Sequence, residues 1–194
     1  MEKSLFNMLK EYGESDYYPF HMPGHKRSVI DGSLDNMYRY DITEIDGFDN
    51  LHEPAGILLE AQKRAASLFG SEETYFLVNG STAGILSAIS AVADRGHKLV
   101  IARNCHKSVY HAALLNELSL EYIYPSEWEE FGVLNGISAD DVESVFHEIA
   151  LRDGVLKKDL KNIVAAVVIT SPSYEGILSD VEGIVRLAHD YQIP

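Results

Sequence analysis

The run IVAAVVIT at residues 163–170 constrains the fold of this chain more than any other feature. It is continuous, apolar and rich in β-branched residues. That is the pattern of a strand covered on both faces, not of one with a wet side. Such a strand needs helices above and below it, and the chain supplies them. Shorter apolar runs at 75–78, 99–102 and 120–124 read as further strands. Between them lie helical patterns. Ile57, Leu58, Ala61, Ala65, Leu68 and Phe69 follow Pro54 and stop at Gly70, and Ile85, Leu86, Ile89 and Val92 follow residues 79–82. A helix runs from 103–108 to near Asn116, and another carries Val142, Val145, Phe146 and Ile149. The last has Val181, Ile184, Val185 and Ala188 as its buried side. Ser138 with Asp141, and Ser179 with Glu182, have the spacing of capped helix starts. The alternation predicts an α/β domain, a mainly parallel sheet with flanking helices.

The first part of the chain reads differently. Residues 3–12 form an amphipathic helix, with Leu5, Phe6, Leu9 and Tyr12 on one side and Gly13 as its stop. Residues 14–54 show little periodicity, and the prolines in YYPFHMPGHKR at 17–27 forbid a continuous helix there. A stretch this long must pack on something or organise a site. The sequence therefore divides into an N-terminal helix and irregular segment, 1–54, and an α/β part, 55–194. The closing helix ends at a proline where a further strand is expected, so the α/β domain reads as partial and truncated at its C-terminus.

Lys and Arg number 16 against 30 Asp and Glu, a formal charge of −14, which argues against non-specific nucleic-acid binding. The single Cys105 excludes an internal disulfide framework. No apolar run suits a membrane span, and the N-terminus does not read as a signal peptide. A reducing cytoplasm is the expected setting.

Chemistry is expected in the loops that follow strands, where open parallel sheets collect their ligands. Asn79-Gly80-Ser81-Thr82 joins a strand to a helix. Its backbone N–H groups and two hydroxyls suit a phosphate monoester, with an ordinary helix cap as the alternative. It matches neither a dinucleotide fingerprint nor a Walker A loop. In residues 103–108, His106 could lie flat on an aromatic ring and Ser108 could donate to a phosphate; the alternative is a surface histidine. Residues 170–176 place Ser171 and Tyr174 past the strongest strand, or form a simple capped turn. His21, His25, His52 and Glu53 have no metal-site spacing. Cys105 and His106, adjacent on a helix, do not face each other as a nucleophile and base would.

Taken together, PFHMPGHKR (19–27), DITEIDGFDNLHEPAGIL (41–58), AASLFG (65–70), FLVNGSTAGILSAI (76–89), ARNCHKSVYHAAL (102–114) and ITSPSYEGILSD (169–180) resemble the Orn/Lys/Arg decarboxylase family. The resemblance implies part of the fold-type-I major domain of the pyridoxal-phosphate enzymes, the aspartate aminotransferase-like fold. It implies pyridoxal 5′-phosphate as cofactor, a basic amino acid as substrate, and a homodimer or higher homo-oligomer. Gly80, Ser81 and Thr82 would hold the cofactor phosphate, and His106 would stack on its ring. Ser108 is a phosphate or positioning candidate, and Ser171 and Tyr174 would line the ring. His21, His25 and His52 would belong to the substrate approach or the subunit contact.

Two family segments find no match in these residues. One is an Asp-Glu-Ala-His-Gly-type stretch whose Asp pairs with the ring nitrogen. The other is a Ser-x-His-Lys stretch whose lysine binds the cofactor covalently; Lys26 and Lys107 do not stand in its context. The chain alone is thus expected to be inactive and to self-associate through uncovered apolar surface. An aminotransferase or lyase of the same fold, or a non-enzymatic product that binds a partner or a phosphate ligand, are the alternatives.

Overall fold

A computed structural model describes residues 4–28 and 32–194, which group into two units, Met1–Phe76 and Leu77–Pro194.

The first unit holds the helices α1 (Leu5–Glu14), α2 (Asp35–Tyr40) and α3 (Ile57–Phe69), with a 3-10 turn at Gly32–Leu34. Ser4 caps α1 by accepting the Asn7 N–H at 3.2 Å; Lys3, where the expected helix began, lies outside the described residues. Gly13 does not stop α1 but sits buried inside it, because a Cβ there would come within 3.1 Å of the Tyr40 ring. The helix α2, inside the stretch read as irregular, is thus held against α1, and Phe6 and Tyr40 meet edge-on at 6.2 Å. The segment before it also packs: the Arg27 guanidinium lies 4.4 Å over the Tyr12 ring, whose edge meets Phe48. Gly70 ends α3 in the left-handed conformation, as expected, but Leu68 and Phe69 are exposed rather than buried.

The second unit comprises α4 (Gly80–Val92), β1 (Lys98–Ala102), α5 (Lys107–Leu115), β2 (Ser119–Ile123), β3 (Glu127–Trp128), β4 (Val133–Leu134), α6 (Ala139–Asp153), β5 (Val164–Val168) and α7 (Val181–Asp190). The main sheet has the order β2-β1-β5, all parallel. The short pair β3-β4 forms an antiparallel hairpin between β2 and α6. One face of the sheet packs Leu99, Ile101 and Ala166 against Ile89 of α4 and Val109, Ala112 and Ala113 of α5. The other packs Val100, Ala102, Ile123 and Val164 against Val142, Phe146 and Ile149 of α6 and Ile184 of α7. Of the β-branched run at 163–170, Val164–Val168 form the strand; Val164, Ala165 and Ala166 are buried and Val167 and Val168 half-buried between the two faces, while Thr170 is exposed.

Residues 75–78 do not form a strand and all four side chains are exposed. Strand composition is not enough without a pairing partner, and the run pairs with none of β1, β2 and β5. The Val167 N–H of β5 donates to the Pro194 carbonyl at 2.9 Å, so the last residues lie along its other edge. At α6 the capping box stands as read: Ser138 Oγ accepts the Asp141 N–H at 3.3 Å, and Asp141 returns the bond at 2.8 Å. At α7 the cap is Asp180, not Ser179, because Ser179 Oγ is used to accept the Ile137 N–H at 3.0 Å. Val181 and Val185 of α7 are exposed. Among the described residues no helix is long and apolar enough to cross a membrane.

Candidate functional site

Parallel neighbours end at the same edge of a sheet. The loop 103–108 after β1 and the loop 169–176 after β5 therefore leave side by side. Between α4 and the start of β1 lie only residues 93–97. A helix of 13 residues rises about 20 Å, enough to span a five-residue strand of roughly 16 Å, so the Gly80 end of α4 reaches the same carboxyl edge. The parallel register thus sets loops 103–108 and 169–176 side by side, and the length of α4 suffices to bring residues 79–82 to the same edge.

The start of α4 is open. Asn79 precedes it with φ −106° and ψ 28° and makes no side-chain cap. Gly80 adopts φ +69°, a left-handed conformation that strains residues with a Cβ, and nothing lies within 4 Å of where a Cβ would be. Gly80, Ser81 and Thr82 are exposed. First-turn N–H groups without a side-chain cap carry partial positive charge and are suited to an anion. Gly84, one turn on, admits Leu77 against the helix: a Cβ there would lie 2.6 Å from a Leu77 methyl. Gly80 and Gly84, four apart on one helix face, are the signal in the sequence for such a close approach.

At the start of α5, His106 is the N-cap. Its Nδ1 accepts the Ser108 N–H at 3.2 Å and lies 2.9 Å from Ser108 Oγ. The imidazole is exposed, whereas Ser108 is fully buried. Cys105 is buried, and burial pushes its thiol above the ordinary range, which disfavours a thiolate nucleophile. Arg103, which the sequence reading did not single out, sits over two rings, 5.9 Å from Tyr110 and 5.8 Å from Tyr122. Its guanidinium donates to the Tyr110 hydroxyl at 2.9 Å, and that hydroxyl donates to the Arg103 carbonyl at 2.9 Å. Burial raises the Tyr110 pKa, so the phenol stays neutral.

In the loop after β5, Ser171 Oγ accepts the Ser179 N–H at 3.0 Å and ties the base of the loop. Tyr174 at its tip is fully exposed. At Gly136 a Cβ would fall 2.0 Å from the Leu178 carbonyl oxygen. No hydrogen bond joins the loops at 79–82, 103–108 and 169–176 to one another among the described residues.

His21 and His25 of the first unit are engaged internally. A carbonyl can only accept, so His21 donates through Nδ1 to the Met22 carbonyl and receives the Tyr12 hydroxyl on Nε2 at 2.6 Å. His25 accepts the Arg27 N–H on Nδ1 at 3.1 Å and donates through Nε2 to Asp41 at 3.2 Å. His52 is exposed, its backbone N–H held by Asn50 at 2.9 Å. Asp49, also missed, accepts backbone N–H groups from Asn50, Ala55, Gly56 and Leu58.

Comparison with known proteins gives a consistent answer. The model of the Orn/Lys/Arg decarboxylase major domain matches residues 3–194. The YaaO protein of Bacillus subtilis (strain 168) is 34% identical over the whole chain and is covered over 39% of its own length. An arginine decarboxylase of Bacillus cereus is 31% identical, again over the whole chain, with 41% of its length covered. The chain therefore spans about two fifths of these relatives. The constitutive lysine decarboxylase of E. coli superposes over 98% of this chain and 27% of its own, with a TM-score of 0.73. At 24% identity that likeness establishes the fold, the fold-type-I major domain.

Proposed function

Because the chain belongs to the Orn/Lys/Arg decarboxylase family, we propose that it forms the phosphate-holding and ring-facing part of a pyridoxal 5′-phosphate-dependent decarboxylase of arginine, lysine or ornithine. The observation that carries this reading is the uncapped start of α4, with Gly80 left-handed, at the sheet edge where His106 also emerges. When bound, pyridoxal phosphate takes up the electron pair left as the substrate loses carbon dioxide.

The roles of this chain's residues follow from their positions. The N–H groups at the start of α4 and the hydroxyls of Ser81 and Thr82 hold the phosphate. Gly80 lets the backbone approach it closely. His106, exposed and braced at the start of α5, faces the ring, and Ser171 and Tyr174 line the same edge. The acidic surplus of the chain suits a cationic substrate. The division into an N-terminal segment, 1–54, and part of the cofactor domain, 55–194, belongs to this proposal. So do a homodimer or higher assembly and a cytoplasmic setting.

The covalent lysine and the ring-nitrogen aspartate that the family uses have no counterpart segments in these residues, so these residues alone are expected to bind without turning over. Incubating the chain with pyridoxal phosphate and each of the three amino acids, and measuring carbon dioxide, tests this division. No release is expected; repeated turnover would contradict it.

A further inference from the structure

From the hydrogen bonds around His106 we infer that Ser108 is a positioning residue for His106, not a phosphate ligand: it fixes the ring in the Nε2–H tautomer. The inference rests on the proposed role of His106 beside a cofactor ring, and it names what holds that ring in place.

The Ser108 backbone N–H can only donate, and it meets His106 Nδ1 at 3.2 Å. Nδ1 is therefore an acceptor and carries no proton, so the proton of the neutral ring is on Nε2. The Ser108 hydroxyl, 2.9 Å from the same nitrogen, can then only donate to it. Two bonds from one residue converge on one ring nitrogen and fix both its tautomer and its orientation. A phosphate ligand must reach an anion, but Ser108 is fully buried, and its N–H and hydroxyl hydrogen are both spent on His106. Ser81 and Thr82, by contrast, are exposed at the start of α4. His106 Nε2 has no partner among the described residues, so the exposed side of the ring presents an N–H donor. A substrate or cofactor group next to it must accept a hydrogen bond there, as a carboxylate or phenolate oxygen does.

Nitrogen NMR of histidine-labelled chain reads the tautomer directly, with His106→Gln assigning the signal and no cofactor present. The expected result is a pyridine-type Nδ1 and a protonated Nε2. Removing the hydroxyl in Ser108→Ala leaves the backbone N–H and is expected to shift the tautomer ratio roughly tenfold toward Nδ1–H, the scale of one hydrogen bond. Ser108→Cys, a weaker donor of similar shape, should fall between the two. A proton on Nδ1 in the unaltered chain overturns the inference without any variant. So does an unchanged tautomer ratio in Ser108→Ala.

Titration with inorganic phosphate separates the two readings. Ser108→Ala should keep phosphate affinity within about twofold, whereas Ser81→Ala should lose roughly tenfold, as expected for a lost donor to a charged group. Equal losses would make Ser108 a phosphate ligand and overturn the inference while leaving the cofactor proposal intact. If the unaltered chain binds neither phosphate nor pyridoxal phosphate, the cofactor proposal fails, and the tautomer measurement still decides the role of Ser108.

Discussion

The Asp49 carboxylate accepts the Gly56 N–H at 2.7 Å, immediately before α3 begins. It also takes the N–H groups of Asn50 at 3.0 Å, Ala55 at 2.9 Å and Leu58 at 3.1 Å. One side chain thus holds the turn at 49–56 and satisfies donors at the helix start. The bond from Ala55 leads in lowering its pKa from 3.8 to about 2, with those from Gly56, Asn50 and Leu58 adding to it against some desolvation. The folded state favours the ionised form. Its stabilising contribution is therefore complete above the unfolded value of 3.8 and is lost as pH falls through about 2. Asp49→Asn removes the charge while keeping a residue that tolerates the left-handed φ of +69°. The variant is expected to melt at lower temperature at pH 7 and to lose the part of the pH dependence between about 4 and 2. Thermal melts of both proteins across that range check the sign. Parallel pH profiles would show that Asp49 does not act as a charged cap.

Gly136 is required by packing rather than by conformation. A Cβ there would fall 2.0 Å from the Leu178 carbonyl oxygen, and neither backbone can yield cheaply. Gly136→Ala is expected to cost about 1–3 kcal/mol or more, the scale of overpacking. At Gly24 nothing lies within 4 Å and φ is not positive, so Gly24→Ala serves as the control. Denaturant titration of both variants should show a lowered midpoint for Gly136→Ala alone.

The capping box at α6 gives a smaller effect. Ser138→Ala removes the acceptor for the Asp141 N–H and is expected to cost about 1 kcal/mol, read as a shift in denaturation midpoint. Asp141→Asn should cost less, since the Ser138 hydroxyl still accepts the N–H of residue 141.

Legibility from the sequence followed how local each determinant is. The strand β5, Val164–Val168 within the run read at 163–170, and the cap at Ser138 are set by neighbouring residues, and both could be read. The helix α2 could not, because contacts such as Tyr40 against Gly13 and Phe6 hold it in place. Residues 75–78 have the composition of a strand, but composition does not supply pairing, and the run pairs with no strand of the sheet. Ser179 has the spacing of a helix cap and is diverted by the Ile137 N–H, 42 residues away in sequence. The site divides in the same way. The open start of α4 follows from a local Asn-Gly-Ser-Thr pattern. Arg103 became visible only once Tyr110 and Tyr122 were brought together beneath it, since residues from α5 and β2 form its seat.

The central claim is that the start of α4 holds the phosphate of pyridoxal phosphate. The most direct test is to titrate the purified chain with pyridoxal phosphate, follow the cofactor's absorbance, and add inorganic phosphate as competitor. The unaltered chain is expected to bind, and phosphate to displace the cofactor. Gly80→Val places a β-branched residue at φ +69° and should weaken both ligands by at least about tenfold, with folding verified by circular dichroism. His106→Ala should weaken pyridoxal phosphate while leaving inorganic phosphate affinity nearly unchanged. Undiminished binding by Gly80→Val, or cofactor binding indifferent to inorganic phosphate, would contradict the account.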